Sequence, residues 1–314
     1  MLSRAADSLY WLARYVERAE NVARTVAVGY RMASMALSLG SNGNEWLSTL
    51  ITTGCEAGFF AKYDEATQPA VIDYLVRDLE NPSSILASIE TARRNARAVR
   101  IALTSDMWDA LNETWLGLRE MDLDFSSSQN LLQFLDWVRA RSQLFNGAYN
   151  GTMLRNDAFY FTRLGTFIER ADNTARILDV KYHVLLPTHE GIGGALDYYQ
   201  WQAILRSVSA LRAYHWVYHD RLQPWLIGEL LLLRPEMPRS LINCFDQITQ
   251  YLDRLADGYG GRRGECHRLA GALHARLRYG RIQDIFQLGL HEFLSDFIDR
   301  STALGDEISA YYLT

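Results

Sequence analysis

The chain has 314 residues, 48% of them hydrophobic, so it is long enough to bury a substantial core in one large or two smaller domains. A formal net charge of −5 and a pI near 5.8 lack the broad basic footprint that tracks a phosphate backbone, so nucleic acid is not an expected partner. Three cysteines, Cys55, Cys244 and Cys266, are too few and too scattered for a disulfide framework or a thiolate metal cluster, and read as reduced thiols.

Helical periodicity dominates and there are only six prolines, which predicts an all-α protein of roughly ten to twelve helices. The first helix is expected from near Ser3 to about Gly40, with Leu9, Leu12, Val16, Ala19, Ala23 and Val26 as its apolar stripe. Arg4, Asp7, Arg14 and Glu17 interrupt its apolar stretch, unlike a signal peptide. The run from Leu226 to Leu233 is too short to span a bilayer, so a cytoplasmic protein without membrane attachment is expected.

A second long helix is expected over roughly 156–186, and it repeats the first. Leu12 to Arg24 returns as Leu164 to Arg176, with seven identities in thirteen positions. The identities include Glu17/Glu169, Arg18/Arg170, Asn21/Asn173 and Arg24/Arg176, so a polar constellation is duplicated along with the packing stripe. Each long helix precedes a glycine-containing loop, Gly40–Asn44 or Gly191–Gly194, and then a helix opening near Trp46 or Trp201. Further on, Asn81-Pro82-Ser83-Ser84-Ile85 aligns with Met237-Pro238-Arg239-Ser240-Leu241, each proline being expected in a first helical turn. The expected architecture is an internally duplicated helical bundle, two similar halves, 1–152 and 153–314, packed as one compact unit around a pseudo-two-fold axis.

On a helix, Glu17, Asn21 and Arg24 share one side with Glu20 about 60° away, and the second copy offers Glu169, Asp172, Asn173 and Arg176. Arg18 and Arg170 project from a neighbouring face. One reading is reciprocal ion pairing: with the helices antiparallel, Glu17 meets Arg176 and Glu169 meets Arg24. The other makes the paired motifs walls of a binding pocket for an amino-acid or phosphate-like group, with Glu17 and Glu169 as candidate catalytic carboxylates. Arg93, Arg97 and Arg100 lie on one face of a further helix and add a third cationic element, for which either a ligand or nearby acids would compensate. Thirty of the 32 cationic residues are arginine, the exceptions being Lys62 and Lys181. Guanidinium forks suit carboxylates and phosphates.

Other motifs are weaker. All seven histidines fall in the second half, and His215 and His219 have the i, i+4 spacing of two ligands, but no third ligand is evident and no metal or other cofactor is expected. The glycine-rich stretches 191–194 and 258–264 follow no predicted strand and read as helix connections, Arg262 and Arg263 leaving the second as a minor anion-site candidate. Trp11, Trp108, Trp115, Trp137 and Trp216 are divided between core and interface readings.

The blocks Leu9–Asn21, Asn81–Ile85 and Leu164–Asn173, in that order and joined by Asp197-Tyr-Tyr-Gln-Trp201, resemble the bacterial alpha-E domain family over essentially the whole chain. The Glu-Arg element that names the family maps onto Glu17-Arg18 and Glu169-Arg170, while the stretch Ala92-Arg93-Arg94-Asn95-Ala96-Arg97 is similar to the family's Ala-Arg-Glu-Asn-Ala-Arg pattern but has Arg94 where Glu is usual. The resemblance implies helical proteins of largely undefined activity, associated with circularly permuted ATP-grasp ligases and with transglutaminase-like proteins. It therefore implies a role in amide-bond formation or peptide modification. The expectation is a noncatalytic partner or substrate-presenting subunit for such a ligase, holding a peptide or amino acid. The alternative is an enzyme acting on an amide or peptide through the paired Glu/Asp and Arg residues.

Overall fold

The computed structural model describes residues 1–38, 45–125, 127–185 and 195–314. Among the described residues it contains fifteen α-helices and no strand. In chain order these are α1 (Ser3–Ser38), α2 (Glu45–Thr53), α3 (Glu56–Phe60), α4 (Gln68–Val76), α5 (Ile85–Ala98), α6 (Ser105–Glu120), α7 (Ser128–Thr152), α8 (Asp157–Leu185), α9 (Ala195–Ser207), α10 (Leu211–Tyr218), α11 (Pro224–Leu232), α12 (Leu241–Gly258), α13 (Glu265–Arg278), α14 (Ile282–Leu288) and α15 (Leu290–Ile308). The count exceeds the expected ten to twelve because short helices such as α3 and α14 carry too few turns to show a period. The loops Gly40–Asn44 and Gly191–Gly194 lie outside the described residues.

Both long helices bury the stripes their spacing predicts: Leu9, Leu12, Val16, Ala19, Ala23 and Val26 on α1, and Leu164, Ile168, Ala171, Ala175 and Leu178 on α8. They form the centre of the molecule. Helices α5, α7 and α2 pack on α1, α12, α15 and α2 pack on α8, and α9 touches both. One apolar cluster draws on α1, α8, α12 and α15, and so on both sides of residue 152; a second, around Phe59, Leu75 and Leu135, lies within the first 138 residues.

Helices α1 and α8 run side by side in the same direction. Ala13 lies against Gly165, Arg14 and Arg18 meet Glu169, and Glu17 meets Arg170, so partner numbers rise together. The antiparallel arrangement expected for the ion-pair reading is therefore wrong, because stripe position fixes the buried face of a helix and leaves its direction open. Gly165 makes the contact possible: a Cβ there would stand 2.2 Å from the Tyr10 carbonyl oxygen. Replacing that hydrogen with a methyl would force the backbones apart.

The two aligned proline blocks sit before helices, not within their first turns. Ser84 and Ser240 are the N-caps of α5 and α12, their side chains accepting from the N–H groups of Ala87 and Asn243. Pro82 and Pro238 each precede the cap by two residues. Serine satisfies an orphan N–H that proline cannot reach, so the cap fixes the helix start.

Candidate functional site

The duplicated motif forms a layer of reciprocal ion pairs between α1 and α8. Arg18 donates to both oxygens of Glu169, Nε to Oε1 at 2.6 Å and Nη2 to Oε2 at 3.0 Å. Arg170 returns the bond to Glu17, Nε to Oε1 at 3.0 Å and Nη2 to Oε2 at 2.8 Å. Each Glu-Arg dipeptide thus gives its arginine to the other's glutamate. The expected pairs Glu17–Arg176 and Glu169–Arg24 do not form, since parallel packing places residue 17 beside residue 170.

Two arginines outside the repeated segments' identities complete the layer. Arg14 Nε donates to Glu169 Oε2 at 2.9 Å while its guanidinium lies 4.7 Å from the centre of the Trp11 ring. Arg239, in the loop before α12, donates from Nη1 to Glu17 Oε1 at 3.0 Å and to Asn21 Oδ1 at 3.4 Å, and from Nη2 to Glu20 Oε1 at 2.6 Å. The Arg239 carbonyl in turn accepts from Thr174 Oγ1 at 2.9 Å, tying the loop to α8. Glu20 also accepts from Arg24 Nη2 at 2.6 Å and from Ser142 Oγ at 2.7 Å. Arg24 reaches on to the Ser207 carbonyl at the end of α9.

These bonds determine protonation. Burial pushes the Glu169 carboxyl up, but the Arg18 and Arg14 guanidiniums prevail and hold it down to about 2. Burial opposes and Arg239 and Arg24 again prevail at Glu20, which is also lowered to about 2. Arg24 moves the other way, lowered to about 10 by burial and by the neighbouring Arg239 charge despite its bond to Glu20. Carboxylates held this firmly in the charged state are poor general acids at neutral pH.

The layer separates two cavities. On one side a cleft of about 230 Å³ is lined by Arg18, Ser83, Glu169, Asp172, Asn173 and Arg176, together with Arg14, Asn21 and the Gly54 turn after α2. Arg176 Nε donates to Asp172 Oδ2 at 2.7 Å, and both side chains keep about a quarter of their surface exposed, 28% and 25%. The Asn173 side-chain oxygen is buried without a hydrogen-bond partner. On the other side a cavity of about 490 Å³ is bounded by Glu20, Arg24, Arg163, Arg170 and Arg239, with side-chain amides of α7 at its rim.

The structure thus brings together Glu17, Arg18, Glu20, Asn21, Arg24, Glu169, Arg170, Asp172, Asn173 and Arg176. It places Arg93, Arg97 and Arg100 elsewhere. Arg93 Nε donates to Asn112 Oδ1 of α6 at 3.1 Å, Arg100 lies over the Trp108 ring at 4.7 Å, and Arg97 and Arg94 are exposed. Their mutual repulsion is eased by α6 and solvent, and Glu17 and Glu20 are taken up by Arg170, Arg239 and Arg24 instead.

His215 and His219 are not two ligands on one helix. His219 caps α10 in the left-handed conformation, φ 50°, its N–H bonded to the His215 carbonyl. Among the described residues no group of three or more His, Cys, Asp or Glu is arranged to hold a metal ion. The 258–264 stretch is a helix connection, where Gly261 N–H closes the end of α12 on the Ala256 carbonyl at 2.7 Å and Arg263 pairs with Asp253 at 2.9 Å. Cys55, Cys244 and Cys266 are all buried free thiols. Of Trp11, Trp108, Trp115, Trp137 and Trp216, Trp216 is the exposed one, at 81%, and the other four are half-buried.

Arg14, Arg239, Ser142 and Arg163 escaped sequence reasoning. Arg239 alone left a signal, as the charged residue in an aligned block whose other copy has Ser83.

An all-helical protein with a buried, doubled Glu-Arg element between its two longest helices is the class that fold and site define. A model described as a predicted alpha-helical domain with a conserved ER motif, Alpha-E, matches residues 1–313, and the chain belongs to that family. Similar proteins include Uncharacterized protein Mb2597 of Mycobacterium bovis and Uncharacterized protein Rv2567 of Mycobacterium tuberculosis, each 24% identical over 96% of this chain. The chain spans about a third of the length of these relatives, 36%. No solved structure matches at a significant level. No described helix is long and apolar enough to cross a membrane.

Proposed function

We propose that this chain is a noncatalytic, cytoplasmic helical module that holds an amino-acid or peptide group in the Asp172/Arg176 cleft. It presents that group to a partner carrying the ATP chemistry, a circularly permuted ATP-grasp amide ligase, in a system that includes a transglutaminase-like protein. The observation that carries this reading is the pairing of opposite functions in one small cleft. The Nη groups of Arg176 and the remaining N–H groups of Arg18 offer donors to a carboxylate, while the second Asp172 oxygen and the Asn173 side-chain oxygen offer acceptors to an ammonium or amide N–H. Glu169 and Glu17 are spent on guanidinium bonds, which favours binding over catalysis. Relatives nearly three times as long accord with a module that works beside other domains.

We also infer that the two halves descend from one doubled unit packed about a pseudo-two-fold axis. The exchange of Arg18–Glu169 for Arg170–Glu17 and the matched Ser84 and Ser240 caps support it.

Co-expression with a circularly permuted ATP-grasp ligase tests the functional reading. A stable complex is expected, with acceptor-dependent ATP turnover that falls in Asp172→Asn and Arg176→Gln. Absence of a complex, or turnover indifferent to both substitutions, refutes it. Amide turnover by the chain alone, lost in Glu17→Gln and Glu169→Gln with thermal stability preserved, would establish the enzyme reading instead.

A further inference from the structure

The second cavity, behind the ion-pair layer, differs in kind from the cleft. Four guanidiniums, those of Arg24, Arg163, Arg170 and Arg239, bound it. Among the described residues, the carboxylates within their reach are Glu17 and Glu20. Four positive charges against two negative leave an excess of two on one wall.

Arg163 is the residue that makes the excess. It lies on α8 and stacks on the Phe167 ring at 4.4 Å. Its Nη1 donates to the Tyr149 hydroxyl and its Nε to the Tyr251 hydroxyl at 3.4 Å. Among the described residues no carboxylate lies within 4 Å of it. Two phenols and a phenyl ring orient a half-buried guanidinium and leave its charge unneutralised, the arrangement of a recognition residue rather than of a structural ion pair. Arg239 and Arg24 beside it are buried, 8% and 3% exposed, and Arg24 is pressed toward deprotonation by burial and by the Arg239 charge, a strain that an anion relieves.

Gln143, Asn146 and Asn150, at i, i+3 and i+7 on α7, place three carboxamides along the rim. Gln143 and Asn146 each offer two N–H donors, and Asn150, whose Nδ2 also donates to the Asn146 carbonyl at 2.8 Å, offers its second, to oxygens that project outward from an anion held on the arginine wall. With about 490 Å³ of space, the cavity accommodates more than one oxyanion group.

We propose that this cavity is a binding site for a small organic or inorganic dianion, of the phosphoryl or dicarboxylate class, recognised by Arg163 with Arg170 and Arg239 and rimmed by the α7 carboxamides. The site is independent of the amino-acid cleft: the two open on opposite sides of the α1/α8 layer and share no lining residue.

Calorimetric titration of the intact chain with pyrophosphate, glycerol phosphate and succinate, against chloride at matched ionic strength, tests the proposal. Saturable binding of at least one is expected. Arg163→Gln should weaken it roughly tenfold through loss of a charged hydrogen bond. Asn146→Asp, which sets a negative charge on the rim without touching the core, should weaken it as well, while Arg176→Gln in the opposite cleft should change it less than about twofold. Binding by the two phosphates alone assigns a phosphoryl ligand; comparable binding of succinate assigns a carboxylate. No saturable binding beyond chloride, or wild-type affinity in Asn146→Asp, overturns the site. Should Arg163→Gln fail to fold, Asn146→Asp decides. None of these outcomes bears on the ligase complex or on the cleft.

Discussion

The two copies of the polar motif use almost the same residues and end in opposite states. In the first, the Glu20 and Arg24 side chains are 2% and 3% exposed; in the second, the aligned Asp172 and Arg176 are 25% and 28% exposed. The difference does not originate in the helices that carry them. It comes from the aligned loop before α5 or α12, where Arg239 reaches into the first copy and Ser83 stands beside the second. One long side chain covers the acid–arginine pair of the first copy, and where it is absent the second pair is left partly exposed in its cleft. Asn21 and Asn173 show the same contrast, because Arg239 satisfies the oxygen of Asn21 and the oxygen of Asn173 has no partner.

The largest test of this comparison is a pair of matched substitutions. Glu20→Ala strands Arg24 and Arg239 in the interior without their shared carboxylate, and removal of one member of a buried ion network costs roughly 3–5 kcal/mol. Asp172→Ala removes a partly exposed i, i+4 partner, worth about half a kcal/mol. Urea unfolding of both variants measures the gap. Equal losses would mean that the two copies share one energetic role and that Arg239 makes no difference.

How much of this was legible in the sequence depends on what kind of contact is asked about. The buried stripes of α1 and α8 follow from a 3.6-residue period, and the doubled Glu-Arg element is visible by simple self-comparison. Which glutamate meets which arginine was not legible, because periodicity defines a face and says nothing of the direction in which two faces meet. The antiparallel assumption paired Glu17 with Arg176, about two turns away from its actual partner Arg170. Arg239 lies 222 residues from Glu17, and no local pattern announces a loop residue that returns to a distant helix. Arg93, Arg97 and Arg100 mislead for the opposite reason: their spacing predicts one helix face, but α5 ends at Ala98, so Arg93 turns to α6, Arg97 to solvent, and Arg100 lies in the short 3-10 turn beyond the helix, over Trp108.

Acid sharpens the comparison further, since each copy contributes one carboxylate whose folded pKa lies near 2, Glu20 from the first and Glu169 from the second. Both are lowered from the ordinary 4.5, so the stability they contribute is fully present above about pH 4.5 and is lost as pH falls toward 2. Unfolding free energy should therefore decline across that window. Glu169→Gln should flatten the decline while lowering stability at neutral pH. An unchanged slope in that variant would show that other carboxylates set the acid response.

Ser83→Arg carries a small energetic effect and the sharpest meaning. If Arg239 is what covers the first copy's acid–arginine pair, a guanidinium at position 83 should reach Asp172 and the side-chain oxygen of Asn173 and cover the second pair in the same way. A charged hydrogen bond to the Asn173 oxygen, which lacks a partner, should raise stability by about 1 kcal/mol after the entropy of ordering the long side chain. Any amino-acid or peptide ligand held by Asp172 and Arg176 should be displaced, while dianion binding on the far side of the layer stays at wild-type strength. Thermal unfolding together with both titrations reads all three consequences. A variant that keeps its cleft ligand and gains no stability would show that the open second copy owes its exposure to the placement of α2 and α15 around it, and not to the missing arginine.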